Sequence, residues 1–402
     1  MAENPEYILG IDLGATQLRF ILAREKTGAL DVVHGKNSKI SFPSPLSEDD
    51  QVFSDSFFSQ IPDSNKVPAY VVRKLESYLT ELGVTKRSIK GIGVSVAGSV
   101  NRDGWFIGSN VPLRYAKKIE NSYRVDLITN LKGIFPDGMT IIVENDGNCA
   151  GVAQGIYYEQ MGLDQSKTFF ITVSTGIGGG GPKRDLDEVG HIIVDGYFPG
   201  LVPVCGCGAC GCIEAYASGE GIKNQAERIL DLFLKNSKAF KKFNDFEAIR
   251  TRGAYNLYEI THSSRLKSLY IDGKDIDAKT IFDFANLNKM KDAKDEFAYY
   301  LIEVAAERFA KVLFSLSNIH GIERFGIGGS VAINNPCYLD IVRNKMKTLR
   351  SSEDIFKSSV EIEVSPLGEY VTDYGALLLV VNTVYKKNWI DTIIKLQHHN
   401  KK

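Results

Sequence analysis

Apolar residues in this chain fall into short runs that end in small, acidic or hydroxyl-bearing residues, and that design recurs from end to end. "YILGIDLGATQLRFILA" (7–23) holds two apolar runs joined by a polar, glycine-containing turn. It predicts a β-hairpin whose turn carries Asp12, Gly14 and Thr16. "IKGIGVSVAG" (89–98) predicts a strand ending in small residues at Ala97 and Gly98. "TIIVENDGNCAGVAQG" (140–155) predicts a short buried strand, a polar tip and a small-residue helix. "TFFITVSTGIGGGG" (168–181) is the next strand and turn, and "RFGIGGSVA" (324–332) is one more strand ending in a glycine turn.

Helical spacing appears in "VVRKLESYLTEL" (71–82) and in "AYASGEGIKNQAERILDLFL" (215–234). It is clearest in "FAYYLIEVAAERFAKVLFSL" (297–316), where Phe297, Leu301, Val304, Phe309, Val312 and Leu316 share a face. Residues 36–68, rich in Ser, Pro, Asp and Asn, read as a loop or insertion. Residues 235–296 read as charged and irregular. There is no short fixed-period repeat and no low-complexity tract. Strands that repeatedly end in small or acidic residues fit an α/β architecture with ligand sites at the strand ends.

At 402 residues the chain exceeds what one core usually sustains, so two domains are expected. Its 48 basic and 49 acidic residues nearly cancel, which argues against a nucleic-acid partner. "MAENPEYILGIDLG" lacks the basic start and long apolar core of a signal peptide. No apolar run reaches the roughly 18–20 residues that cross a bilayer, so no membrane partner is expected. A cytoplasmic, reducing setting follows, where disulfides are rare.

That setting changes the meaning of "CGCGACGCIE" (205–214), which holds four of the six cysteines. Such a cluster is a candidate for metal or redox chemistry. Zn²⁺ takes four tetrahedral ligands, and Cys205, Cys207, Cys210 and Cys212 are candidates, with His191 upstream in "DEVGHIIVDG". Four cysteines in one short loop reach all four corners only with strain. Three plus a histidine from another segment is easier and would pin two loops together. Four protein ligands leave no open position, so such a zinc would be structural. A redox switch and merely close thiols are the alternatives. Glu188 and Glu214 flank this region, as candidates to accept hydrogen bonds from sugar diols or as ordinary surface carboxylates.

Three glycine-bearing turns follow apolar strands: Asp12 to Thr16, Ser174 to Gly181 and Gly326 to Ser330. Glycine lets backbone amides approach a phosphate closely. Together the three point to a nucleotide, although none fits a P-loop or a dinucleotide fingerprint. Phosphoryl transfer needs a metal and a base near the attacking hydroxyl. Asp12 is a candidate to hold Mg²⁺ through water, or else a turn residue. Asp146 in "VENDGN" is a candidate base, or else the N-cap of the following helix.

Taken together, "GIDLGAT", "VENDGNCA", "VSTGIGGG", "DEVGH" with "CGCGACGCIEAYASG", and "FGIGGSVA" resemble the ROK family of sugar kinases and repressors, in the actin-like ATPase superfamily. The matches run in family order from residue 8 to about residue 376. The resemblance implies an α/β, two-lobed actin-like (ribonuclease H-like) fold with a structural zinc loop. The expected lobes are 1–140 with about 386–402, and 141–385 with an insertion near 235–275.

The resemblance also implies roles. Asp146 would be the general base, and Gly98, Asn110, Asn145, Glu188, His191 and Glu214 would hold the sugar. His191, Cys205, Cys207 and Cys212 would hold zinc, leaving Cys210 a bystander. Asp12, Gly14, Thr16, Thr175, Gly176 and Gly329 would line the nucleotide cleft. Ala15 and Gln17 stand where the family commonly has Gly and Lys. The implied activity is an ATP- and Mg²⁺-dependent phosphorylation of a hexose, most often at C6, with lobes closing on sugar and nucleotide to exclude water. Glucose and N-acetylmannosamine head the expected substrates. A sugar-sensing repressor is the alternative, disfavoured because Asp12 comes too early for a preceding DNA-binding domain; a non-catalytic sugar-binding protein is disfavoured because the acid, the glutamates and the glycine turns are present. Homodimers are frequent in the family.

Overall fold

The computed structural model describes residues 6–14, 17–26, 29–32, 39–46, 50–107, 116–119, 122–182, 188–196, 201–286, 294–349 and 360–385. Thr16, Asn110 and the expected lobe segment 386–402 lie outside the described residues. Two compact units divide the chain: Met1–Ser166 with Gly180–Asp187 and Glu369–Lys402, and Lys167–Gly179 with Glu188–Gly368.

The first unit opens with β1 (Tyr7–Leu13), β2 (Gln17–Lys26), β3 (Ala29–Val32), β4 (Lys39–Pro43) and α1 (Asp63–Glu81). It continues with β5 (Ile89–Val96) and the short strands β6 (Ser99–Val100), β7 (Phe106–Ile107), β8 (Lys117–Ile119) and β9 (Ser122–Arg124). Then come α2 (Leu127–Lys132), β10 (Thr140–Asn145) and α3 (Asp146–Gln160). The main sheet runs β10–β5–β1–β2–β3, with β4 also on β2. The predicted hairpin is β1–β2, and β1, β5 and β10 are parallel.

Alternation along these strands decides what covers each face, because successive side chains point to opposite sides. Leu9, Ile11 and Leu13 of β1 and Ile92, Val94 and Val96 of β5 join one buried core with Val67, Val71, Leu75 and Tyr78 of α1.

The second unit holds β11 (Thr168–Val173) and β12 (Ile177–Gly180), then α4 (Glu214–Ala217), α5 (Gly219–Lys235) and α6 (Ser237–Arg250). Next are α7 (Leu257–Ser263), α8 (Arg265–Ile271), α9 (Ala278–Ala285) and α10 (Glu296–His320). β13 (Arg324–Gly328), α11 (Ser330–Asn334), α12 (Pro336–Leu349) and β14 (Glu361–Val364) complete it. Its sheet runs β12–β11–β13–β14, with β13 parallel to both β11 and β14.

The chain then returns to the first unit as α13 (Val371–Tyr385). This helix covers the other face of the first sheet. A Cβ at Gly93 would sit 1.6 Å from the Ala376 carbonyl oxygen, so glycine is what lets helix and strand backbones touch.

Three expectations need correction. Residues 36–68 are not simply a loop: 39–43 form β4 on β2, with Phe42 edge-on to Phe20 at 5.9 Å, and α1 begins at Asp63 rather than at 71. The described part of 235–296 is largely helical, as α6 to α9 over 237–285. Of these, α6, α7 and α8 are anchored by few apolar residues (Phe240, Phe243, Leu257 and Leu266, each 4% exposed or less), too few to print a clear period in the sequence. The unit boundary falls near 166 and 369 rather than 140 and 386, because α3 and α13 pack on the first sheet and on each other.

Candidate functional site

In the first unit, β1, β5 and β10 end together. Leu13 and Asn145 both pair with Val96, so Asp12, Gly98 and Asp146 gather at one carboxyl edge of the sheet. Ligands of parallel α/β sheets bind at such edges.

Asn145, and not Asp146, caps the helix at this edge. Its Oδ1 accepts the N–H groups of Gly147 (2.8 Å) and Asn148 (3.3 Å), making Asn145 the N-cap of α3. Its Nδ2 donates to the Gly98 carbonyl at 3.1 Å. Asp146 is therefore the first helical residue and not the cap, and its Oδ1 accepts the Gly147 N–H at 2.8 Å.

Asp12 is 4% exposed and faces Arg19 across the hairpin. Arg19 Nε donates to Asp12 Oδ2 at 3.1 Å, and Nη2 contacts the same oxygen. That Nη2 also meets Thr372 Oγ1 at 3.2 Å and Asp373 Oδ2 at 3.3 Å. Two buried carboxylates thus share one arginine. Gly14 closes the hairpin turn through its N–H to the Gln17 carbonyl, and the Ser44 hydroxyl donates to the Gly14 carbonyl at 2.6 Å.

In the second unit, the turn Ser174–Gly176 between β11 and β12 is pinned to the start of α5. The amides of Gly219 and Glu220 donate to the carbonyls of Ser174 (2.7 Å) and Thr175 (3.2 Å), and Thr175 itself is exposed. Glu214 fastens the turn from below: its Oε2 accepts the Ile177 N–H at 2.9 Å. Its Oε1 lies 3.7 Å from Cys205 Sγ. Glu214 is therefore no loose surface carboxylate.

His191, Cys205, Cys207 and Cys212 bring one donor atom each within 4.8 Å of one another, and Cys210 is outside the group. His191 Nδ1 is 3.6 Å from Cys205 Sγ, and Cys207 Sγ is 3.8 Å from Cys212 Sγ. A tetrahedron with Zn–S of about 2.3 Å and Zn–N of about 2.05 Å has S···S edges of about 3.8 Å and N···S edges of about 3.6 Å. The donor set fits zinc on chemistry and on those two spacings. The other ring nitrogen of His191, Nε2, lies 3.8 Å from Glu188 Oε2.

Without a metal, burial pushes the Cys212 thiol up to about 12, with the neighbouring Cys207 adding to it. Burial also raises Cys205, whereas the Ala209 N–H lowers Cys207. Ligation requires thiolates, so occupancy would release protons.

Gly329 has φ +85°, and a Cβ there would lie 2.4 Å from the Val173 carbonyl oxygen, so only glycine fits. Beside it is a cavity of about 240 Å³ lined by Ala278, Phe282, Ser330, Val331, Asn334 and Asn335.

Each unit therefore assembles its share of the sequence-predicted residues: Asp12, Gly14, Gly98, Asn145 and Asp146 in one, and Thr175, Gly176, Glu188, His191, Glu214, the three cysteines and Gly329 in the other. Arg19, Asp373 and Ser44 were not anticipated. The Asp12–Arg19 pair is legible once the hairpin register is known. Asp373, more than 350 residues away in sequence, leaves no local signal.

A model of the ROK family matches residues 59–383. The chain belongs to the ROK family. A glucokinase of Aeropyrum pernix is 28% identical over 276 residues, 65% of this chain and 71% of that one. An N-acetylmannosamine kinase of Shigella boydii serotype 18 is 27% identical over 228 residues, 54% of this chain and 64% of that one, just under two thirds of its length. The fold matches a ROK hexokinase from Thermus thermophilus with a TM-score of 0.60 at 19% identity, covering 95% of this chain and all of that one. The mixed α/β architecture is that of solved ROK proteins. Among the described residues no helix is long and apolar enough to cross a membrane.

Proposed function

We propose that this ROK protein is an ATP-dependent sugar kinase, transferring the γ-phosphate to a hexose hydroxyl, most readily that on C6. The observation that carries this is Glu214. One carboxylate fastens the second glycine turn through Ile177 and touches the Cys/His cluster through Cys205. Residues suited to phosphate and to sugar thus stand on one frame in the second unit.

Asp146 is assigned as the general base. Its position at a strand end, with the capping duty taken by Asn145, supports that role. Glu188, His191 and Glu214 are assigned to sugar hydroxyls, since carboxylates and an imidazole accept and donate the charge-assisted bonds a polyol offers. Asn145 spends its amide oxygen on the cap and one N–H on Gly98, so at most its second N–H serves the sugar. Thr175, Gly176 and Gly329 are assigned to the nucleotide, and the cavity beside Gly329 suits its base.

The carboxylates of Asp12 and Asp373, net −1 over Arg19, are a hard-oxygen donor set that fits Mg²⁺. Bound there, Mg²⁺ would neutralise phosphate charge. His191, Cys205, Cys207 and Cys212 would hold a structural Zn²⁺, and Cys210 would not. Because phosphoryl transfer passes through a loose transition state, holding both substrates supplies most of the rate and base strength less.

The substrate is proposed as glucose or an N-acetylhexosamine such as N-acetylmannosamine, following the two relatives. An ADP-coupled assay over a panel of hexoses and N-acetylhexosamines tests this. Sugar-dependent ADP formation by the wild type, lost in Asp146→Asn, is the expected result. No sugar-dependent turnover across the panel would overturn the kinase assignment.

A further inference from the structure

Arg308 is the largest fully buried side chain of the described residues, at 1% exposure on α10. A charge that deep demands an explanation. Replacing a buried ion pair by apolar residues is often neutral or stabilising, so stability alone is a poor reason for keeping it.

What the guanidinium touches supplies a better one. Nε and Nη2 donate to Asp195 Oδ2 at 3.1 and 2.8 Å. The Cζ atom lies 5.2 Å from the ring centroid of Tyr216, whose hydroxyl is pushed up by burial and by the nearby Asp195 carboxylate. Nη1 meets Glu307 at 3.2 Å, and Glu307 in turn meets Arg250 of α6 at 3.2 Å.

Asp195 lies four residues after His191, and Tyr216 two residues after Glu214. The two arms are cross-bonded into a short antiparallel ribbon: Val194 N–H to the Gly211 carbonyl at 2.8 Å, and Ile213 N–H to the Ile192 carbonyl at 2.9 Å. One planar fork therefore contacts both arms of the ribbon, bonding Asp195 of one and lying 5.2 Å from the ring centroid of Tyr216 in the other.

We propose that Arg308 is a positioning residue for the sugar site: through Asp195 and Tyr216 it fixes the spacing between the arm bearing His191 and the arm bearing Glu214. The inference rests on the sugar-binding roles proposed above for those two residues. A metal among His191 and the cysteines would tie the same two arms together a second time. Arg250 and Glu307 extend the same charged chain into the helical segment that follows α5, so that segment braces the site as well.

Arg308→Lys and Asp195→Asn test this in the full chain. Lysine keeps the charge, but its compact ammonium cannot lie flat over Tyr216 and hold Asp195 together. Asparagine keeps the shape and removes the charge. Two readouts are taken on folded protein: KM for sugar against KM for ATP, and hydrogen exchange of peptides covering 188–196 and 210–217. Both variants are expected to raise sugar KM about tenfold, the scale of losses from supporting-shell changes, with ATP KM within about twofold of wild type. Exchange should quicken in the two ribbon peptides and not in β1–β2. Unchanged sugar KM with unchanged ribbon exchange overturns the proposal, as does an equal rise in both KM values. Should the wild type phosphorylate no sugar, the kinase assignment fails separately. Ribbon exchange then decides alone, and no change in it overturns the role given to Arg308.

Discussion

Gly176→Ala isolates the contact on which the kinase assignment leans most. Gly176 has no positive φ, so alanine brings no backbone strain there. The added Cβ would stand 2.8 Å from Glu214 Oε2, where ordinary contact starts at 3.4 Å, so the carboxylate must retreat by 3.4 − 2.8 = 0.6 Å. It is the end of a flexible side chain and can move, so the fold should survive. The bond from Ile177 N–H to Oε2, 2.9 Å, is what stretches or breaks. A hydrogen bond to a charged group contributes about 1.5–3 kcal/mol. In a unit of this size that lowers Tm by about 3–12 °C. A displacement of this order at a substrate-holding group costs up to about 100-fold in catalytic efficiency. The assay is ADP-coupled turnover with KM for sugar and ATP measured separately, with Tm alongside. Sugar KM should rise through the displaced Glu214, and ATP KM should rise too, since Gly176 belongs to the turn assigned to the nucleotide. Glu214→Gln and the double variant complete a cycle, and the two changes should be strongly non-additive, because both act through one carboxylate. Wild-type sugar KM in Gly176→Ala, or additive losses in the double variant, would refute the reasoning.

Asp146→Asn should lower kcat by about 100- to 10,000-fold, the usual share of a general base, with Tm nearly unchanged because the cap is Asn145; normal turnover would refute the assignment. Asn145→Ala should do the converse to stability, costing about 1–2 kcal/mol through the lost cap and the lost Gly98 bond, and a denaturation midpoint equal to wild type would count against it. Cys207→Ser should purify with substoichiometric zinc and a lower Tm while Cys210→Ser keeps full stoichiometry, measured by atomic absorption. Equal zinc in both would remove Cys207 from the ligand set.

Much of this protein was legible one residue at a time. Each strand that ends in a glycine turn was readable because its apolar run, its punctuation and its length are local properties of the chain. The Cys/His cluster was readable for a related reason: ligand types are few and their spacing short. The helices of 237–285 were not. In α6, α7 and α8 only Phe240, Phe243, Leu257 and Leu266 are buried apolar anchors, too few to repeat as a detectable period. The unit boundary escaped for another reason, since α3 and α13 join the first sheet only through contacts between distant segments, such as Gly93 against Ala376.

By itself, then, the sequence determined the elements that carry the motifs, the family and the inventory of reactive groups, because propensity and motif chemistry live within a few neighbouring residues. Tertiary structure decided which of those groups are committed to each other. It gave Arg19 to both Asp12 and Asp373, made Asn145 rather than Asp146 the cap, tied Glu214 to Ile177 and paired Arg308 with Asp195. Such pairings depend on where whole strands and helices come to lie. Only burial of the complete core fixes that.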